Sequence, residues 1–487
     1  NGQLGNGTTD SPKLNAIQVG SSGSNAMRIT HGSVTNQDTG IQRVEFNNEL
    51  ITNVLIAENE EFHIFEDGIS LNQSFSLLPD SQEVKAGSVE YTSFNPNIAT
   101  VGKYTGIVTP VKGIYGTAII LVKSDGYSSI IRVSIKPQDT DDVKSVAKPM
   151  VATGASHTIA LKYDGTVWTW GNNTNGQLGN NSTENSSNPV QVKSADGNGY
   201  LTNIIEISAG SDHNMALRND GTVWTWGSNA YGQLGNGSSV NSMLPVQVKS
   251  TDGNSFLTDV VQISAGYVHS MALKKDGTVW TWGRNDGGQL GNNNTSNKSL
   301  PVQVKGGASG SEYLTDVVQV TAGNWHSMAL KANGTVYAWG WGQYGQLGNG
   351  YTTNSDDTDK YSGEKIYSAP VQVLNGAQTS ETGYLKEVVQ IDAMGGTGRG
   401  EKNRFGTSLA VTESKEVYGW GNSLYGALGV KSSIVSKPVR VGTDISNAVQ
   451  VAGGGKSGSD DWHVNSIGNT GYTYILKEDG TVSSLGY

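Results

Sequence analysis

The sequence predicts an all-β protein: a β-propeller of four-stranded antiparallel blades, with a small β-sandwich inserted near its start. Three observations carry that prediction. Val-Trp-Thr-Trp-Gly recurs at Val167, Val223 and Val279, and altered copies begin at Val336, Val417 and Val482. The first three steps are 56, 56 and 57 residues, a period that marks a structural repeat. Glycine is abundant, 65 of 487 residues, where about 7% is usual. It has no Gly-x-y period and stands among β-branched and aromatic residues, which suits short strands joined by tight turns.

One unit, Asp259 to Val304, justifies the blade strand by strand. Val260–Ser264 is a β-branched run that ends at Ala265-Gly266. His269–Leu273 is the second strand. Asp276-Gly277 then reads as a type I′ hairpin turn, which needs positive φ at both central residues. Val279–Gly283 returns antiparallel, and a loop rich in Gly and Asn leads to a fourth strand, Pro301–Val304. Proline is tolerated there if the strand lies at the outer edge, where no ladder donor is missed. Four such strands recurring around a ring make a propeller blade.

Two side-chain series run through the repeats. Trp168 and Trp170, Trp224 and Trp226, and Trp280 and Trp282 lie two apart and share a strand face. Their recurrence assigns them to packing between blades; a stacking platform for sugars or bases is the alternative. His157, His213, His269 and His326 recur at one position with no carboxylate at ligand spacing. They read as structural, hydrogen-bonded histidines, and not as a metal ring.

Composition excludes several classes. There is no cysteine, so thiol nucleophiles, zinc fingers and iron–sulfur ligation are out. A net charge of -10 argues against a nucleic-acid surface, and no apolar run reaches the length of a membrane-spanning helix. No Gly-x-Ser-x-Gly or His-Glu-x-x-His segment occurs. Gly395–Gly400 and Gly455-Lys456-Ser457 lack a phosphate-loop pattern, and Asp356–Asp359 lacks calcium-loop spacing. The expectation is a protein with no enzymatic activity, no catalytic residues, no metal and no cofactor. Asn1–Gly5 is the middle of a repeat motif, so the chain reads as a section of a longer one, with any targeting segment upstream.

Gly-x-x-His-x-x-Ala-Leu, Asp-Gly-Thr-Val-Trp-Thr-Trp-Gly and Gly-Gln-Leu-Gly-Asn, in phase, resemble the regulator of chromosome condensation repeat. The resemblance covers about 1–31 and 147–487. It implies a seven-bladed propeller whose last blade mixes N- and C-terminal strands. Six third strands can be counted but seven inner ones, the first near Met27–Thr30, so seven blades are expected, with six as the alternative. Gly2–Val19 would pair with the 472–487 hairpin to close the ring.

Segment 50–137 resembles a bacterial immunoglobulin-like domain of group 2, through Ser88–Val101, Thr105–Lys112, Gly116–Val122 and Ile130–Ile135. That yields three parts: 1–32 completing the propeller, the sandwich at 50–137, and repeats over 147–487. The two resemblances together imply a secreted or cell-surface bacterial scaffold that binds a protein or surface partner through propeller loops, as part of a larger adhesin. Alternatives are a secreted inhibitor of another protein, a fibre subunit joined by strand donation, so that the chain is monomeric or fibre-forming, or guanine nucleotide exchange.

Comparing repeats with one another locates the free positions. The pair before the histidine varies from Ala155-Ser156 to Tyr267-Val268 and Asn324-Trp325. The position before Gly-Gln-Leu-Gly varies and includes Tyr231 and Tyr344, and Trp341 follows Trp-Gly in one unit only. Exposed aromatics in variable loops are favoured protein-binding anchors. Trp325, Trp341, Tyr344, Tyr231 and Tyr267 are therefore the candidate site, with Trp325, Trp341 and Tyr344 expected together on one rim and partly exposed. The alternative is that these rings cover their own loops.

Overall fold

The computed structural model describes residues 90–112, 116–124, 127–136, 147–307, 312–352, 366–376, 383–395, 406–423, 426–442, 445, 447–456 and 470–486, with short strands at 16–19, 27–30, 41–42, 53–57, 62–63 and 84–85. No α-helix occurs among the described residues. The chain divides into two compact units, Asn1–Lys148 with two short turns, and Pro149–Lys274, Thr278–Lys331 and Thr335–Tyr487. The loop 356–359, the cluster 396–400 and Ser457 lie outside the described residues.

In the first unit, Tyr127–Lys136 pairs antiparallel with Gly116–Ser124 and parallel with Asn53–Ala57, and Glu90–Ser93 adds to the Gly116–Ser124 edge. Ile107–Pro110 forms a second sheet with Phe62–His63 and Ala99–Val101. Ala99 and Val108 of one sheet and Ala118, Ile120 and Val133 of the other are fully buried. Alternating apolar residues are what place them inward. Ala16–Val19 pairs antiparallel with Met27–Thr30, two short strands separated by a few residues and so closing a small loop at low entropic cost.

The second unit contains the repeats. Five sheets have four strands in chain order and a sixth has three. The inner strands are Met150–Thr153, Ile204–Ala209, Val260–Ala265, Val317–Ala322, Val388–Gly395 and Ala448–Lys456. Side chains of one inner strand cap the backbone of the next. Ser208 Oγ accepts from Ala265 N, Ser264 Oγ from Ala322 N, Thr321 Oγ1 from Ala393 N and Asp392 Oδ2 from Gly453 N. Gln262, Gln319 and Gln390 do the same one residue pair earlier. Successive sheets are thus stitched along their inner strands, where each polar group finds a partner.

The hairpin turn differs from expectation. Gly277 has φ 76° and Gly221 φ 78°, while Asp276 and Asp220 are not in the left-handed region. Gly221 N donates to Arg218 O, and Arg218 N to Thr222 O. This is a three-residue loop, a type I turn closed by a left-handed glycine, and not the two-residue type I′ form. Asp220 Oδ1 accepts from both Thr222 N and Thr222 Oγ1, which holds the turn in the type I geometry.

The tryptophan pairs split. Trp226 and Trp282, and Trp339 and Trp420 at the same position of later units, are fully buried, whereas Trp168, Trp170, Trp224 and Trp280 are half-buried. Trp224 donates to Thr222 Oγ1 and lies under the Arg218 guanidinium, 5.0 Å from ring centre. The ends of the array are also marked. Val151 is 69% exposed, whereas Ile207 and Ile263, its counterparts, are 3% exposed. Val482 is 61% exposed where Val223 and Val279 are 0%, and among the described residues its strand Val482–Gly486 has a single neighbour, Thr470–Lys477.

Candidate protein-binding site

The loops that carry the site are pinned by one clamp, repeated between neighbouring sheets. The carbonyl of Gln233, in Gly-Gln-Leu-Gly, accepts from Ser270 Oγ (2.9 Å) and Trp282 Nε1 (2.9 Å) of the following sheet. His213 Nε2 lies 3.0 Å from the same Ser270 Oγ. Gln177, Gln289 and Gln346 repeat the arrangement with Asn214 and Trp226, Ser327 and Trp339, and Ser408 and Trp420. Where the middle residue is serine, its single proton goes to the glutamine carbonyl, so the hydroxyl must accept from histidine. That places the proton on Nε2. Nδ1 is then a buried acceptor with no partner in His157, His213, His269 and His326.

Burial disfavours the imidazolium in each. His213 and His269 are pushed down to about 3, and His326 to about 4; His157 is lowered as well. These histidines are structural hydrogen-bond donors between sheets, as their repetition suggested. The glutamine side chains act locally: Gln233, Gln289 and Gln346 Oε1 accept from the backbone of Tyr231, Gly287 and Tyr344. Loop residues just before the motif are therefore held in fixed positions.

On this clamp sits a cluster drawn from three successive sheets. Arg284, 7% exposed, lies between two rings, its guanidinium 4.6 Å from the Tyr231 centroid and 4.4 Å from that of Trp325. Its Nε and one terminal nitrogen bind Asp286 Oδ1 and Oδ2 at 2.8 and 2.6 Å. Tyr267 stacks on Trp325, centroids 6.3 Å apart and planes inclined by 25°. Trp341 N donates to Trp325 O. A Cβ on Gly287 would lie 3.4 Å from Trp325 and 3.7 Å from Trp341, so the bare glycine backs onto both indoles. Apart from Trp341, which ends the third strand of its sheet, these residues come from loops between inner and second strands or between third and outer strands. In an antiparallel sheet those loops share one end.

Four of the five sequence candidates, Tyr231, Tyr267, Trp325 and Trp341, are thus brought together, and Tyr344 sits in the equivalent loop of the fourth sheet. The expected exposure does not hold for the tryptophans: Trp325 is 1% and Trp341 2% exposed. Arg284 and neighbouring loops cover them, and burying an indole is favourable wherever such cover exists. Tyr231, Tyr267 and Tyr344 are half-buried and carry the accessible surface. Tyr361 and Tyr425 lie outside the described residues. Sequence reasoning missed Arg284 and Asp286. The signal was present, since Arg284 is the charged member of the series Asn172, Ser228, Arg284, Trp341 that follows Trp-Gly.

Chemically, the site is a rigid aromatic surface around a neutralised cation. Arg284 has its charge met by Asp286 and its faces by rings, which leaves it as an organiser of shape.

A family model described as an RCC1-like domain matches residues 131–459. The ultraviolet-B receptor UVR8 of Arabidopsis thaliana is 28% identical over 331 residues, 63% of this chain and 72% of UVR8. The E3 ubiquitin-protein ligase HERC2 of Homo sapiens is 34% identical over 296 residues, 60% of this chain but 5% of HERC2. The crystal structure of Prp20p from Saccharomyces cerevisiae aligns with 69% of this chain and 71% of its own, at 20% identity and a TM-score of 0.49.

Proposed function

Because this chain belongs to the RCC1-like domain family, we propose that it is a non-catalytic binding propeller that holds a protein partner against the rim organised by Arg284. The observation that carries this reading is the Tyr231–Arg284–Trp325–Tyr267 stack. Aromatic and arginine side chains held rigid at the centre of a patch are the usual anchors of protein interfaces. They lose little conformational entropy on binding when already fixed. The setting we propose is secreted or at a bacterial cell surface, in a larger adhesin or as an inhibitor of another protein. The two-sheet module with its parallel Asn53–Ala57 edge supports an inserted immunoglobulin-like domain there. The ligase activity in HERC2's name belongs to a protein of which this chain matches 5%.

The test uses proteins captured from the medium in which the producing cells grow. Since Trp341 is buried, its replacement changes packing first, so Tyr267→Ala is the informative variant. It is expected to weaken a captured partner by about 2 kcal/mol, roughly thirtyfold, with an unchanged melting temperature. Equal affinity for Tyr267→Ala, Tyr231→Ala and the parent would reject this rim as the binding surface.

A second reading rests on the open edge of Val482–Gly486, with Val482 61% exposed. We propose that Gly2–Val19, which carries Gly-Gln-Leu-Gly and Ala16-Ile17-Gln18-Val19, supplies the missing outer strand, and that Met27–Thr30 begins a seventh blade. Open edges invite association. Deleting residues 1–20 is expected to lower the melting temperature or cause self-association, read by thermal unfolding and light scattering. A variant that stays monomeric with unchanged melting rules this closure out. A monomeric parent in dilute solution excludes closure between chains, and with it the fibre.

A further inference from the structure

A different surface repeats more regularly than the rim and presents half-exposed aromatic rings. Between each outer strand and the next inner strand the chain makes a short antiparallel bridge: Lys193 with Tyr200, Lys249 with Phe256, Lys305 with Tyr313 and Leu374 with Tyr384. The residue after each ring, Leu201, Leu257, Leu314 or Leu385, is at most 4% exposed. The rings themselves are 55%, 49%, 47% and 47% exposed. Adjacent residues in extended chain point oppositely, so the leucine anchors the loop and the ring faces out. A fold that needed only the anchor would not present a large aromatic side chain to water four times in succession.

The surroundings of the rings also repeat. Lysine is the directly bridged partner in three modules, and the Lys305 ammonium lies 4.1 Å from the Tyr313 centroid. An exposed carboxylate stands in each of the same three loops: Asp196, Asp252 and Glu312. Asp196 is held by Ser194 Oγ and Asn198 N, and Asp252 by Ser250 Oγ, Asn254 N and Ser255 N. Each of these three modules therefore offers one aromatic ring, one ammonium donor and one carboxylate acceptor, whose charges balance; the fourth offers its ring.

We infer that this row of loops is a binding surface for an extended, uncharged polysaccharide. A pyranose presents a C–H face that stacks on an aromatic ring and hydroxyls that both donate and accept, which suits a ring flanked by an ammonium and a carboxylate. The balanced charges of the three lysine-bearing modules give no electrostatic preference for an acidic polymer. Four outward-facing rings on successive sheets match a ligand that itself repeats, and weak sites in series add by multivalency. The site is separate from the Arg284 rim, which uses the loops at the opposite end of the strands.

The experiment is native electrophoresis of the full chain in gels containing a mixed-linkage β-glucan, a galactomannan, a dextran or, as the acidic arm, alginate. Retardation by at least one of the three neutral polymers is expected. It should weaken about fivefold in Tyr200→Ala or Tyr313→Ala and vanish in the double variant. Tyr267→Ala, on the rim, should leave it unchanged. Unretarded migration in all three neutral gels overturns the inference. So does retardation that the ring variants do not alter, or that is strongest in alginate.

Discussion

Acidification from pH 7 to pH 5 is expected to strip this protein of much of its stability. The sign follows from the inter-sheet histidines. Their folded pKa values are depressed to about 3 for His213 and His269 and about 4 for His326, against about 6.5 in the unfolded chain. The unfolded state therefore binds the extra protons first as pH falls. The histidine contribution is full above about pH 6.5 and declines down to about pH 3 to 4, by up to ~1.4 kcal/mol per pH unit for each histidine. Three acting together give about 4 kcal/mol per unit in mid-window, offset by about one such share between pH 6 and 4, where buried Asp392, pushed up to about 6 by desolvation, takes its proton first in the folded state. The cause is burial, which disfavours the charged ring, and Nδ1 has no hydrogen-bond partner in any of them. Urea unfolding at pH 7, 6 and 5 reads the slope directly. His269→Gln keeps a donor for Ser327 but cannot titrate, and should flatten the slope by about one histidine's share. A slope unchanged in that variant would mean that the ring is not neutral and buried in the native state.

The second large effect is expected at Gly235, the last residue of its Gly-Gln-Leu-Gly. Its φ is 67°, and a Cβ there would sit 2.7 Å from Trp282 Nε1 and 3.0 Å from Val248. Gly235→Ala adds left-handed backbone strain of about 1 kcal/mol or more. It also adds overpacking of about 1–3 kcal/mol and pushes the indole off the Gln233 carbonyl it donates to. A total of about 3 kcal/mol is expected, seen as a lower urea midpoint. Gly237→Ala, two residues on and also at positive φ, meets only Leu300, at 3.5 Å, and should lose only the strain. Equal effects of the two changes would show that contact with Trp282 contributes nothing.

Much of the architecture was legible in the residues. Period, β-branched runs and Asp-Gly-Thr turns located the repeat strands, because alternation and turn chemistry are local properties. The structural role of His157, His213, His269 and His326 was also readable, since a residue repeated in every unit serves a contact repeated in every unit. The turn class was not. Type I′ and type I with a left-handed glycine share Asp-Gly, and register with the flanking strands chooses between them.

The site divides along the same line. Variation between repeats singled out Tyr231, Tyr267, Trp325 and Trp341 as a group without coordinates, because a position that differs from unit to unit is not fixed by a contact that every blade repeats. Their exposure was decided by the tertiary structure alone. Trp325 is covered by Arg284, which lies 41 residues earlier and in the preceding sheet, and no local pattern encodes which side chain of one loop lies over which ring of the next. Comparison of the repeats was enough to pick out which loop positions vary and carry aromatic rings. Packing between sheets decided which of them are anchors held inside and which remain at the surface, because burial is a property of the neighbours that arrive, and only the assembled fold brings them.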